Sequence, residues 1–194
     1  MKEIIFAQET KNTLLADVVK DVFRLRHETF IDRLEWDITS ENGMERDQFD
    51  ELSPFHIAVK NSAGGVDGCW RALPTTGDYM LRSVFPELLQ GEAIPVGEDI
   101  WEISRFAVRK GSSKVAHGYM SEITVNMVRS FYEFAQRMGI KTYVTVTTVA
   151  CERMLRQLGV ELSRLGEGKS MQIGKERSVA LRINVNQRLS IIKH

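Results

Sequence analysis

The chain of 194 residues is long enough for one domain with a substantial buried core. Its 26 basic and 26 acidic residues cancel, which removes any whole-chain electrostatic case for binding nucleic acid or a membrane surface. No apolar run approaches the roughly 20 residues that span a bilayer, and MKEIIFAQETKN turns polar too early for a secretory signal, so a cytoplasmic protein without stable membrane insertion is expected. Cys69 and Cys151 match no zinc or redox spacing, so they read as reduced thiols; no metal and no resident cofactor are expected.

Residues 2–7 read as a short strand. From Thr13 to Ile31 the residues Leu14, Leu15, Val18, Val22, Leu25 and Thr29 recur at helical spacing. Residues 37–54 are polar, contain Asn42-Gly43 and end at Pro54, which predicts a long loop of the kind that carries function. Little apolar content holds it down, so it should be mobile in the empty protein. Strands at 55–60 and 66–73 flank NSAGG, a hairpin signal. One or two short helices occupy 79–90, interrupted at Pro86. Strand 100–108 follows, and its alternation places Trp101, Ile103, Arg105 and Ala107 on one face, with Glu102, Ser104, Phe106 and Val108 on the other. A helix is expected from His117 to Met138, ended by Gly139. Residues 141–148 are β-branched and read as a buried strand, 149–158 as a helix ended by Gly159, and short strands near 160–165, 169–174 and 178–186 close the chain.

That order implies a single domain over residues 1–194: an α/β fold, a three-layer α/β/α sandwich around a mixed central sheet. It is the plan of the acyltransferase superfamily typified by N-acetyltransferases, a likeness of fold only. In that superfamily a glycine-containing basic loop at a helix start holds a pyrophosphate. The matching stretch is FAVRKGSSKVAHGYM, where Lys110, Gly111 and Lys114 read equally well as a solvated basic turn.

Three stretches carry more information. Arg26, Phe30 and Trp36 lie in FRLRHETFIDRLEWDI and are followed by Asp47-Gln48-Phe49-Asp50; the second stretch is Gly68-Cys69-Trp70-Arg71-Ala72-Leu73-Pro74-Thr75-Thr76; the third is Trp101-Glu102-Ile103-Ser104-Arg105-Phe106. Arginine inside apolar strands needs a partner when buried, and Glu102 beside Trp101 is as unusual. A purely structural Glu–Arg or Asp–Arg network is one reading; solvated surface is the ordinary reading of Asp47 and Asp50, and core that of Phe30.

Taken together, these stretches resemble the acyl-homoserine-lactone synthase family over residues 20 to 160. The resemblance implies a reaction in which the α-amine of S-adenosylmethionine attacks an acyl thioester. The methionyl carboxylate then closes the lactone and expels methylthioadenosine. It assigns Arg26, Phe30, Trp36, Asp47, Asp50, Arg71 and Phe106 to S-adenosylmethionine, and catalysis to Glu102 and Arg105. Those residue types suit the substrate: aromatic faces attract a sulfonium by about 0.5–2 kcal/mol, aspartates match its amine, and arginines match its carboxylate or pair with the aspartates. Glu102, through a water, would take the amine proton, and backbone N–H groups of 103–108 would meet the oxyanion. No G-x-S-x-G or Cys–His pairing suggests an acyl-enzyme.

An acyl tail needs apolar walls, expected from Met80, Leu81, Phe85, Tyr143, Val144, Thr145, Val146, Thr147, Val149, Met154, Leu155 and Leu158, all of which also read as ordinary core. In the family a threonine on this strand goes with 3-oxo chains; Thr145 and Thr147 both fit. The acyl donor is expected to be acyl-acyl carrier protein ahead of acyl-CoA, docking on Arg153, Arg156, Arg164 and Lys141, which read equally as a solvated helix face. Two alternatives remain: an acetyl-CoA-dependent N-acetyltransferase, which would want a glycine-richer loop, and a non-catalytic sensor, which would not keep Glu102.

Overall fold

The structure, a computed structural model, describes residues 3–8, 13–111, 115–117 and 120–185. In chain order the elements are β1 (Glu3–Gln8), α1 (Thr13–Arg26), β2 (Ser40–Glu41), β3 (Met44–Glu45), β4 (Phe55–Lys60), β5 (Val66–Pro74), α2 (Met80–Ser83), β6 (Ile100–Val108), β7 (Val115–His117), β8 (Met120–Ser121), α3 (Glu122–Met138), β9 (Thr142–Thr148), α4 (Val149–Gln157), β10 (Leu162–Arg164), β11 (Met171–Ile173) and β12 (Glu176–Asn184). The fold is mixed α/β with a central mixed sheet, as expected. The chain gathers into two compact units, Met1–Ala72 with Arg105–Ser130 and Leu73–Ser104 with Phe131–His194.

In the first unit β1 pairs antiparallel with β4, and β4 with β5, in a register that sets His56 opposite Arg71 and Ala58 opposite Cys69. One face packs against α1 through Val18, Val19, Val22, Phe23 and Leu25, with Cys69 and Ala107 in the same cluster. The other meets the start of α3 at Gly68, where a Cβ would come within 2.9 Å of Ile123 and Met127. Only glycine lets helix and strand approach so closely. Trp70, on that face, donates to Ser130 Oγ at 2.8 Å.

In the second unit β6 and β9 are parallel, with Glu102 beside Val144, and β9 runs antiparallel to β12. Trp101 meets Phe134 edge-on at 5.8 Å, and the Tyr143 hydroxyl donates to the Phe131 carbonyl, so this face belongs to the end of α3. The opposite face carries Glu102, whose carboxylate sits at the start of α2. Helix α4 packs on β9 and β12.

Four expectations change. The first helix stops being α-helical at Arg26 and continues as a wider π-helical turn over His27–Arg33, a feature frequent at functional sites. Helix α3 starts at Glu122 because β7 and β8 pair as a small hairpin before it; Lys114 of the basic turn lies outside the described residues. Strand β6 does not keep one phase, since Arg105 has φ 55°. That left-handed residue costs about 1–3 kcal/mol and interrupts the alternation, and Ala107 beyond it packs in the α1 cluster.

The fourth change concerns residues 37–54, which are fastened rather than loose. Asn42 (φ 53°) and Gly43 (φ 70°) make a two-residue hairpin between β2 and β3. Asp47 then caps a 3₁₀ turn, Gln48–Leu52: its carboxylate accepts from the Phe49 N–H at 3.0 Å, while Asp50 accepts from the Asp47 N–H at 2.9 Å. Glu45, Phe49 and Asp50 are buried. A polar composition hides this, because charge pairs hold the segment alongside a few apolar contacts from Ile38, Met44 and Phe49.

Candidate active site

Helix α1 delivers Arg26 at its last turn, the capped turn delivers Asp47 and Asp50, β3 delivers Glu45, β5 delivers Arg71, and the left-handed turn in β6 delivers Arg105. All six meet in the first unit. Arg26 places Nε on Glu45 at 2.5 Å and both Nη atoms on Asp50 at 2.9 Å each. Arg71 donates to Asp47 at 2.5 and 3.1 Å and to Asp50 Oδ1 at 2.9 Å. Arg105 bonds Glu45 at 3.1 Å and Asp47 Oδ2 at 2.6 Å. Three guanidiniums and three carboxylates therefore close on one another, with several two-pronged contacts that only arginine supplies.

Burial separates the members. The side chains of Arg26, Glu45, Asp50 and Arg71 are at most 1% exposed, whereas Arg105 keeps 8% and Asp47 18%. The Asp47–Arg105 pair is the edge of the cage that reaches solvent. Beside it Phe30 stacks on Trp36, centroids 4.7 Å apart, and Arg105 lies over the Phe30 ring at 5.7 Å. Trp36 is exposed, Phe30 buried. Burial by itself would raise the Asp50 carboxyl, but Arg26, then Arg71 and the Asp47 amide, hold it well below the usual carboxylate range. Burial pushes the nearby Cys69 thiol up to about 12, which leaves it inert as a nucleophile.

Glu45 is absent from the residues singled out in the sequence. A signal existed: Glu45 and Asp47 are two residues apart in extended chain and so face the same way. Phe106 is half-buried and alternates with Ala107, so it takes the face away from the α1 cluster.

In the second unit Glu102 accepts from the Met80 N–H at 3.0 Å and the Leu81 N–H at 2.8 Å. Sheet alternation divides the expected acyl walls. Val144 and Val146 share the Glu102 face, together with Met80 of α2; Thr145 and Thr147 share the opposite face with Tyr143. Met80, Phe85 and Val149 are half-buried, and Leu155 is buried. Of the expected docking cations, Arg156 and Arg164 are engaged by Glu152, and Lys141 pairs with Asp99 at 3.0 Å; Arg153 is exposed. Among the described residues no group of His, Cys, Asp and Glu is arranged to hold a metal, and no helix is long and apolar enough to cross a membrane.

An acyltransferase-type sheet with a closed arginine–carboxylate cage defines the class. The chain belongs to the autoinducer synthase family, whose model matches residues 10–190. It is 44% identical over 167 residues, 86% of each chain, to an acyl-homoserine-lactone synthase of Aliivibrio fischeri. The crystal structure of the acyl-homoserine-lactone synthase LasI superposes with a TM-score of 0.83 at 37% identity, covering 98% of this chain and 93% of that one. TofI, crystallised in a ternary complex with an inhibitor and MTA, gives 0.78 at 30% identity, covering 97% and 94%. A putative N-acetyltransferase from Lactobacillus plantarum gives 0.62 at 12% identity over 95% of this chain and 99% of that one, a likeness of architecture only. The enzyme is an acyl-homoserine-lactone synthase.

Proposed function

We propose that the Asp47–Arg105 edge receives the methionyl end of S-adenosylmethionine, with the ammonium on Asp47 and the carboxylate on Arg105. The observation that carries this is the exposure gradient: four members of the cage are sealed, and the two that reach solvent have opposite charges. An amino-acid zwitterion matches that pair in both signs, so it replaces one ion pair by two without stranding a charge. The Phe30–Trp36 stack offers its exposed indole to the sulfonium and adenosyl group. Arg26, Glu45, Asp50 and Arg71 hold Asp47 and Arg105 in place.

We assign to Glu102, as the family resemblance implies, the removal of the amine proton through a water. Attack on the thioester follows, and the methionyl carboxylate then displaces methylthioadenosine. Val144, Val146 and Met80 are the walls we assign to the acyl chain. Acyl carrier protein is the donor we favour, with exposed Arg153 on α4 as a contact. Both substrates are cytoplasmic metabolites and both cysteines are unpaired, in keeping with an enzyme of the cytoplasm.

Titration calorimetry with Asp47→Asn tests the central point. Methylthioadenosine lacks the amino-acid end, so the variant should bind S-adenosylmethionine at least about tenfold more weakly, the scale of a charge-assisted bond, and bind methylthioadenosine as the wild type does. Equal losses for both ligands would move the zwitterion elsewhere.

A further inference from the structure

Beneath the cage lies a histidine that the proposed chemistry does not use. His56 stands on β4 directly opposite Arg71, so both side chains leave the same face of the sheet. It is 1% exposed. The Phe23 ring meets it edge-on, centroids 5.3 Å apart, and the guanidinium carbons of Arg26 and Arg46 lie 5.2 and 5.0 Å from that same Phe23 ring. Its Nε2 lies 3.9 Å from Asp50 Oδ1. That oxygen is the hub of the cage, since Arg26 and Arg71 both donate to it at 2.9 Å. His56 Nδ1 is buried without a hydrogen-bond partner.

We propose that His56 is a positioning residue for S-adenosylmethionine, acting as a neutral imidazole whose Nε2–H faces Asp50 Oδ1 and fixes the rotamer that both arginines share. The route to substrate is short. Arg71 Nη1 bonds Asp50 and Asp47 together, so a tilt of Asp50 would pass through Arg71 to the carboxylate at the solvent edge. Neutrality is enforced by the surroundings: burial lowers the imidazole pKa to about 3, with Arg26, Arg71 and Arg46 adding to the effect and only Asp50 opposing it. A protonated ring would be one more cation competing for the hub oxygen. With one nitrogen near a carboxylate and the other unpartnered, the proton belongs on Nε2, because a donor facing Asp50 is attracted and a lone pair facing it is repelled.

The inference rests on the zwitterion reading above, and the test keeps the two apart. His56→Phe retains the flat ring against Phe23 and removes the donor. His56→Gln brings an amide N–H near the Nε2 position, and His56→Asn brings it near Nδ1. The Phe variant should raise the KM for S-adenosylmethionine about three- to tenfold, leaving the acyl-donor KM and methylthioadenosine affinity unchanged. Gln should restore the wild-type value and Asn should not. If the Phe variant does not fold, the Gln–Asn contrast decides alone. Long-range proton–nitrogen correlation spectra of the wild type should show Nε2 protonated and Nδ1 bare. Equal KM values for Gln and Asn, or a proton on Nδ1, would overturn the positioning role even with the Asp47→Asn result intact; an unaffected Asp47→Asn would overturn the zwitterion reading itself.

Discussion

Asp50 and Glu152 are each shared by two arginines, in opposite surroundings. Asp50 is sealed between Arg26 and Arg71, themselves 1% and 0% exposed. Glu152, on α4, is gripped by Arg164 at 2.7 Å and Arg156 at 3.0 Å, but those side chains keep 31% and 49% of their surface in water. The bond lengths are alike. What differs is where the arginines would go if the carboxylate vanished. Around Glu152 they would turn to solvent at little cost. Around Asp50 they would keep only Glu45 and Asp47, leaving a buried excess of positive charge with no water to hydrate it, the circumstance that makes a broken buried pair so destabilising.

Asp50→Asn is therefore the strongest test of the comparison. It should cost about 3–5 kcal/mol in urea unfolding and abolish lactone synthesis; a loss under about 1 kcal/mol would mean that water already reaches the cage. Acid gives an independent reading. Asp50 is depressed in the folded state, so its contribution is present above the unfolded carboxylate value of about 4 and is lost as pH falls through the folded one. His56 acts earlier: its pKa falls from 6.5 to about 3, so the unfolded chain binds a proton the folded chain refuses throughout that window. Stability should drop about 1.4 kcal/mol per pH unit below pH 6 on this account, before Asp50 begins to titrate.

A third carboxylate sharpens the contrast. Glu102 is held by two main-chain amides at the start of α2. Glu102→Gln keeps one acceptor for those amides, so its stability cost should fall near 1–3 kcal/mol. The larger effect should be on rate: acylation should drop by about 10²-fold or more, with S-adenosylmethionine affinity retained. Near-normal turnover in stopped assays of methylthioadenosine release would leave Glu102 as a cap for α2 and nothing else.

Regular periodicity made most of the elements legible in the sequence: the start of α1, the β4–β5 hairpin, β9 and α4 appear where expected, the last two bounded by Gly139 and Gly159. What escaped was structure made by single residues. Neither the Arg105 left-handed turn nor the capping of the 48–52 turn by Asp47 leaves a periodic trace. The cage was half visible, since arginines in apolar strands demanded partners, yet Glu45 and His56 stayed hidden. A buried glutamate in a polar run looks like surface, and a lone histidine in a strand looks like core. Spacing reported which residues recur, not which of them would be drawn inward by a shared charge.

The weaker member of the comparison makes the smallest prediction. Glu152→Gln should cost only about 0.2–1 kcal/mol, the range of exposed ion pairs, because Arg156 and Arg164 can extend into water. A loss above 2 kcal/mol would show that Glu152, whose own side chain is only 6% exposed, behaves as a buried partner after all. The same change releases two cations and adds one unit of positive charge to the α4 surface. If an acidic carrier protein docks there, association is helped by that charge, and the KM for acyl-acyl carrier protein should fall about two- to threefold at low salt. The gain should fade near 0.5 M salt, where screening shortens the reach of exposed charges to a few ångströms. S-adenosylmethionine, proposed above to bind at Asp47 and Arg105, should show no change in KM. A donor KM that ignores both the variant and the salt would take the docking surface away from α4, and leave Glu152 as a fastening between α4 and Arg164.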